Sequence, residues 1–200
     1  MAEIVAAAKS AMVYGNNAVY ATAHSTGSTM WDTDDSTFFY LGQKKDGNYV
    51  VYRNVVKFDT SAISGSIAKV TMRLVLLGEH SDTDFDAQIV KYDWSASDPV
   101  TDVNKDTIFD GVLAAAADDN IWKNTAGLAI NTQYTSGELD PTWINQGGTT
   151  YYGLRSSRDK TATQPGGDEY ISPANEVHAT AAYRPLLTIE YAALGLMFFT

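Results

Sequence analysis

Between residues 67 and 77 apolar and polar positions alternate, with Val70, Met72, Leu74 and Leu76 on one side and Thr71, Arg73 and Val75 on the other. A period of two sends successive side chains to opposite faces, as a half-buried strand requires. Shorter runs rich in Tyr, Phe, Val, Ile and Thr recur at 38–41, 49–58, 85–92, 126–131, 151–155, 169–172 and 185–191. Clusters of Gly, Asp, Asn and Ser separate them, and each run reads as a strand. Asp46-Gly47 predicts a hairpin turn between the runs at 38–41 and 49–57. Two segments read as helix: the Ala-rich stretch 2–13 and the stretch from Asp106 to Ala117. Asp140 to Gly148, with Trp143 and Ile144, is expected as a helical turn or a long loop. Many short strands and few helices predict an all-β antiparallel β-sandwich. No repeat or low-complexity linker divides the chain. The expected organisation is an N-terminal arm at 1–12, one sandwich domain at 13–192 and an apolar C-terminal tail at 193–200.

The length of 200 residues is enough to bury about 70% of the unfolded surface, so the fold needs no staples. There is no cysteine, which excludes a disulfide scaffold, a thiolate metal site and a thiol nucleophile. The formal net charge of −10 leaves no basic face to displace counterions, so nucleic acid is not an expected partner. Membrane insertion is not expected either, since no apolar run reaches spanning length. The start, Met1-Ala2-Glu3-Ile4-Val5, lacks a basic region and a long apolar core, and is read as carrying no signal peptide. Release by lysis is the route this implies for a surface location.

Little in the chain suggests catalysis. His24, His80 and His178 share no metal-ligand spacing. No nucleophile elbow, P-loop or dinucleotide fingerprint occurs. Glu3, Glu79, Glu138, Glu169, Glu176 and Glu190 are spread along the chain with none singled out as an acid or base. Two oxygen-rich clusters, Asp32-Thr33-Asp34-Asp35 and Asp82-Thr83-Asp84-Phe85-Asp86, resemble calcium loops. The second fails as an EF-hand, with Ala87 where Gly is needed and Asp93 where a bidentate Glu is usual. A structural calcium on Asp82, Asp84 and Asp86 is the one cofactor considered; otherwise none is expected. Sugar-binding modules stack flat rings on sugar faces; Trp31, Trp122, Trp143, Tyr134, Tyr151 and Tyr152 lie near loop-like segments, and of these Trp122, Trp143, Tyr151 and Tyr152 are the candidates for such a platform.

Three blocks carry a family resemblance. The first is Tyr52-Arg53-Asn54-Val55-Val56-Lys57-Phe58-Asp59-Thr60-Ser61-Ala62-Ile63, followed by the strand Ile67 to Leu74. The second is Ile89-Val90-Lys91-Tyr92-Asp93-Trp94. The third is Tyr170-Ile171-Ser172-Pro173-Ala174-Asn175-Glu176, then Arg184-Pro185-Leu186-Leu187-Thr188-Ile189-Glu190-Tyr191. Their order and separation resemble DNRLRE-type domains, jelly rolls akin to carbohydrate-binding modules and found in bacterial and archaeal surface proteins, polysaccharide-degrading enzymes and phage proteins. The resemblance spans roughly residues 10 to 192, with 100–150 matching only in outline. It implies a jelly-roll form of the sandwich, with structural roles for Arg53, Asp59, Glu176 and Arg184. Asp59 is expected to accept from the amides of the next turn. Arg53 is expected to meet a carboxylate such as Glu176. Arg184-Pro185 is expected to open an edge strand, because Pro lacks a ladder amide.

Together these readings point to a non-enzymatic structural or binding protein displayed on a surface. A phage virion component is the first expectation, as capsid decoration, head accessory, or tail or fibre protein. Its partners would be copies of itself in a homo-oligomer such as a trimer, and other virion proteins such as a capsid or tail protein. The alternative is a carbohydrate-binding module of a polysaccharide-active system, extracellular and bound to cell-surface glycan.

Overall fold

The computed structural model describes residues 2–32 and 36–192. Strands dominate: β1 (Ala2–Asn17), β2 (Thr29–Asp32), β3 (Leu41–Asp46), β4 (Asn48–Asp59), β5 (Ile67–Ser81), β6 (Asp86–Lys91), β7 (Ala116–Asn124), β8 (Thr132–Thr135), β9 (Thr149–Ser156), β10 (Asp168–Pro173) and β11 (Leu186–Tyr191). Among the described residues three α-helices interrupt them: α1 (Tyr20–Ser25), α2 (Lys105–Ala114) and α3 (Ser157–Lys160). The fold is an antiparallel all-β sandwich of jelly-roll-like form, as the alternation predicts.

One layer runs β2–β1–β4–β9–β6–β7. The other contains β11, β5 and β10, with β8 on the far side of β5. The first half of β1 joins β11 at one edge, and β3 links β10 to β4 at the other. Hydrogen bonding therefore runs in a closed circuit, β1–β4–β3–β10–β5–β11 and back to β1. Between the layers lies the main core, where Val70, Met72, Leu74 and Leu76 of β5 meet Val56 and Phe58 of β4 and Tyr152 and Leu154 of β9. The predicted alternation along β5 is borne out.

The outer face of the β1–β4–β6 layer is also covered. Ala11, Val13, Val51, Val55 and Val90 pack there against Ile108, Phe109 and Val112 of α2 and against Trp94. So β4 is buried on both faces, which explains its near-continuous apolar run. Gly15 permits this closeness on β1, because a Cβ there would lie 1.8 Å from the Ala23 carbonyl oxygen of α1. Gly47 makes the predicted β3–β4 turn with φ +66°.

Several expectations are corrected. The Ala-rich stretch 2–13 is strand, and the expected boundary at 12/13 falls inside β1. A bulge between Ala7 and Lys9 shifts its register against β4, so Val5 and Ala7 face the core before it and Met12 and Tyr14 after it. Helix propensity loses here to two flanking strands that need a small, flat neighbour. Residues 126–131 form a turn rather than a strand, while the unforeseen β7 occupies 116–124. The strand after Arg184-Pro185 lies between β1 and β5, so it is interior; Pro185 stands just outside it, and its carbonyl accepts from Ala7 N at 2.9 Å. The apolar tail 193–200 and residues 33–35 of the Asp32–Asp35 cluster lie outside the described residues.

Candidate functional site

A groove of about 200 Å³ opens where β9 begins, lined by Asp93, Ser95, Trp143, Asn145, Thr149 and Tyr151 among others. Its rings are held from several directions. Asp140 caps the 3-10 turn Pro141–Trp143, accepting from Thr142 N at 2.9 Å and Thr142 Oγ1 at 2.7 Å. Those bonds and Lys91 Nζ at 3.0 Å hold the Asp140 carboxyl down at about 2. With its turn fixed, Trp143 donates from Nε1 to the Tyr151 carbonyl at 2.7 Å. The Tyr151 ring meets the buried Trp94 ring edge-on, 4.9 Å between centroids, and its hydroxyl donates to Asp98 Oδ2 at 3.2 Å. Asp98 also accepts from Lys57 Nζ at 2.5 Å. Burial, then the Asp98 bond, pushes the Tyr151 hydroxyl above its usual pKa. The result is two rigid, half-exposed aromatic side chains with a carboxylate, an amide and hydroxyls beside them. Such a surface can stack a sugar face and hydrogen-bond its edge.

Of the four ring candidates, the structure brings Trp143 and Tyr151 together and removes the others. Trp122 is 1% exposed and Tyr152 is 0% exposed, and both are core residues. Tyr152 follows Tyr151 on β9, so alternation sends it between the layers. Trp122 packs edge-on to Tyr134 at 6.4 Å. Neither can contact a ligand.

Asp82, Asp84 and Asp86 do not converge. Asp82 Oδ2 accepts from Asp168 N at 3.3 Å, Asp84 Oδ1 from Thr125 Oγ1 at 3.2 Å, and Asp86 Oδ1 from Asn124 Nδ2 at 2.8 Å. Among the described residues, no group of three or more His, Asp or Glu side chains is placed to hold a metal ion.

Arg53 is fully buried, but its carboxylate is Asp159 and not Glu176. The pair is bidentate, Nε to Oδ2 at 2.8 Å and NH2 to Oδ1 at 2.7 Å. Arg53 also donates to the carbonyls of Phe109 (3.0 Å) and His24 (2.9 Å), and its guanidinium lies 3.6 Å over the Phe109 ring. It points to the helix-covered face because it is an odd-numbered residue of β4, with Val51 and Val55. Glu176 is buried elsewhere and accepts from Ser10 Oγ. Asp59 accepts from Ser61 N at 3.0 Å, as expected, and hydrogen bonding to Ser61 lowers its pKa. Arg184 donates from Nε to the His178 carbonyl at 2.9 Å.

Sequence reasoning missed the rest of this buried polar network. His24 Nε2 lies 2.8 Å from the Asp159 carbonyl and 3.3 Å from its Oδ1. Hydrogen bonding to Asp159 raises the His24 pKa against the opposing effect of burial. Burial pushes Asp159 up, but the Arg53 and His24 hydrogen bonds outweigh it and hold the carboxyl below its usual range. Beside them Glu169 accepts from Gln43 Nε2 at 2.9 Å and Arg158 Nε at 2.7 Å. Arg155 caps α2 through the carbonyls of Val112, Leu113 and Ala115. The only advance signal was the charge-rich run Arg155-Ser156-Ser157-Arg158-Asp159-Lys160. These contacts join α1, α2 and α3 to the sheet; their hydrogen-bonding capacity is directed inward.

The chain matches no protein-family model and no curated protein sequence. No helix among the described residues is long and apolar enough to cross a membrane.

Proposed function

We propose that this chain is a non-catalytic structural and binding domain displayed on a surface, as a phage virion component of the capsid-decoration or tail-fibre kind. The observation that carries the binding part is the Trp143–Tyr151 groove, whose rings are pinned by Asp140, Trp94 and Asp98. Rings immobilised before binding lose little entropy when a sugar stacks on them. The non-catalytic part is supported by the use of Arg53, Asp159 and His24 as an internal staple. The setting is supported by the likeness of the Arg53–Ile63 and Ser172–Tyr191 blocks to DNRLRE-type jelly rolls. A closed circuit of strands suits display outside a cell, because few long edges are left to pair with other chains. Copies of the chain and capsid or tail proteins are the partners this reading implies, with host-surface glycan as the ligand.

Electrophoresis of the full chain through gels containing cell-surface polysaccharides tests the binding part. Retardation by at least one polysaccharide, weakened about tenfold or more by Trp143→Ala, is expected. Equal mobility of both proteins in every gel would sink it. Solution mass and electron microscopy test the structural part, which fails if the chain stays monomeric and decorates no particle.

The same groove favours a second reading, a carbohydrate-binding module of a polysaccharide-active system. Genes for capsid, portal and tail proteins beside this one support the first reading; a glycoside-active enzyme there supports the second.

A further inference from the structure

The opposite end of β4 holds a different kind of cavity. A cleft of about 210 Å³ opens beside the β3–β4 turn, and its walls include Tyr14 of β1, Trp31 of β2, Tyr40 and Tyr52. The rings form one continuous cluster. Tyr52 lies 5.8 Å from Tyr14 and 5.2 Å from Tyr40, while Tyr40 lies 6.4 Å from Trp31 and 5.1 Å from Tyr170 of β10. Of the five rings, Tyr52 is buried and the other four are half-exposed. The walls come from β1, β2, β3 and β4, and Tyr170 of β10 packs against the rings of Tyr40 and Tyr52.

Four hydroxyl groups gather in this cluster. A tyrosine buried for packing normally finds a partner for its hydroxyl. Among the described residues, the hydroxyls of Tyr14, Tyr40, Tyr52 and Tyr170 make no hydrogen bond to protein; the isolated core hydroxyl of Tyr152 shares this, but here four such hydroxyls gather in one aromatic cluster. The four also lie close enough to influence one another: burial, then Tyr170, Tyr40 and Tyr14, pushes the Tyr52 hydroxyl well above its usual pKa. Each hydroxyl can both donate and accept. Asn16 and Lys44 complete the polar side of the cleft.

From this arrangement we propose that the cleft is a binding site for a single neutral pyranose ring, such as the terminal residue of a glycan. Aromatic faces suit the C–H faces of such a ring, and donor–acceptor hydroxyls suit its alternating hydroxyls. Its volume is below the range for drug-sized ligands, which limits the occupant to about one ring. An aromatic cluster could instead hold a quaternary ammonium by cation–π attraction. Lys44 argues against that guest, because a cationic side chain is already among the lining residues. The site is independent of the Trp143–Tyr151 groove: Tyr52 and Lys57, which pairs with Tyr151, are five residues apart on β4, roughly 17 Å along the strand.

The test is NMR titration of the full-length, nitrogen-15-labelled protein with methyl glycosides of glucose, galactose, mannose and N-acetylglucosamine, with tetramethylammonium as the contrasting probe. At least one glycoside is expected to shift the Trp31 indole signal, and to do so equally in Trp143→Ala. Tyr40→Phe and Tyr14→Phe keep the ring volume and remove one hydroxyl each. Each is expected to weaken binding about five- to tenfold with the spectrum otherwise preserved. Trp31→Ala, on the outer strand β2, is expected to weaken it about tenfold, read from the backbone amide signals that move with Trp31 in the parent, and serves if a Tyr variant fails to fold. The proposal is overturned if no glycoside moves the Trp31 signal at about 10 mM, near the weak end of specific recognition. It is equally overturned if the foldable variants bind as the parent does, or if tetramethylammonium binds more tightly than every glycoside. Loss of glycoside binding on Trp143→Ala alone would assign the sugar to the first groove and remove this site.

Discussion

Arg53 shows how one residue can tie a sheet to its covering helices. Its guanidinium is fully buried against Asp159, whose carboxylate is buried too. Breaking such a pair leaves a charge without a partner in a low dielectric, which costs about 3–5 kcal/mol. Asp159→Asn is therefore expected to lower unfolding free energy by about that amount, read by urea denaturation. Arg53→Lys should also destabilise, since a point charge cannot span both carboxylate oxygens and two carbonyls. His24 adds a pH dependence. Its folded pKa is above the ordinary 6.5, so its contribution is complete below that value and is lost as pH rises through the raised one. Asp159 works in the opposite sense, its contribution being present above the ordinary 3.8 and lost as pH falls through the depressed value. Stability should plateau between the two and decline on the alkaline side. In His24→Gln that alkaline decline should flatten in melting scans from pH 6 to 9; an unchanged slope would assign it to other groups. Arg53 and Asp59 were legible in the sequence because both sit in a strand–turn block. Asp159 was not, because 106 positions separate it from Arg53 and only the fold brings them together.

At the scale of elements, alternation was the reliable guide and composition the misleading one. The period of two located β5 within a few residues, the Tyr- and Val-rich run located β4, and Asp46-Gly47 located the turn before it. Alanine content suggested helix at both 2–13 and 106–117, and was right only for α2. The difference is tertiary. The Ala11 and Val13 positions of β1 lie beneath Phe109, where a small side chain lets the helix approach. Alternation along β9 likewise separates Tyr151 in the groove from Tyr152 in the core, a distinction lost when adjacent aromatics are treated as one platform. α2 itself is held by Ile108, Phe109 and Val112 and by the Arg155 cap, with no side-chain cap at its start. Phe109→Ala would remove a buried ring and the surface under Arg53, costing about 3–5 kcal/mol. Hydrogen exchange should then quicken in α2 and α1 before it does in β5. Uniform quickening throughout would show that the helices and sheet unfold as one unit.

For the molecule as a whole, β1 decides how the two layers are connected. An N-terminal arm would be dispensable for folding and needed only for docking on a neighbour. The pairings of residues 2–12 describe something else. Ala2 to Ala6 are hydrogen-bonded to β11, and Ser10 to Met12 to β4, so the segment closes the strand circuit between the layers. Met12 is 1% exposed in the main core and Ala11 is 2% exposed beneath α2. Ser10 meets the buried Glu176. A chain beginning at Val13 would open β11 along one side, orphan its amides and carbonyls, and leave the Met12 volume empty. Each lost buried hydrogen bond leaves a group whose desolvation costs about 1–3 kcal/mol, and several at once exceed the stability of an ordinary domain. That shortened chain is expected to lose its cooperative thermal transition and its far-ultraviolet strand signal. A folded, cooperative product that merely failed to assemble would show that the segment docks outward, and that the circuit can close without it.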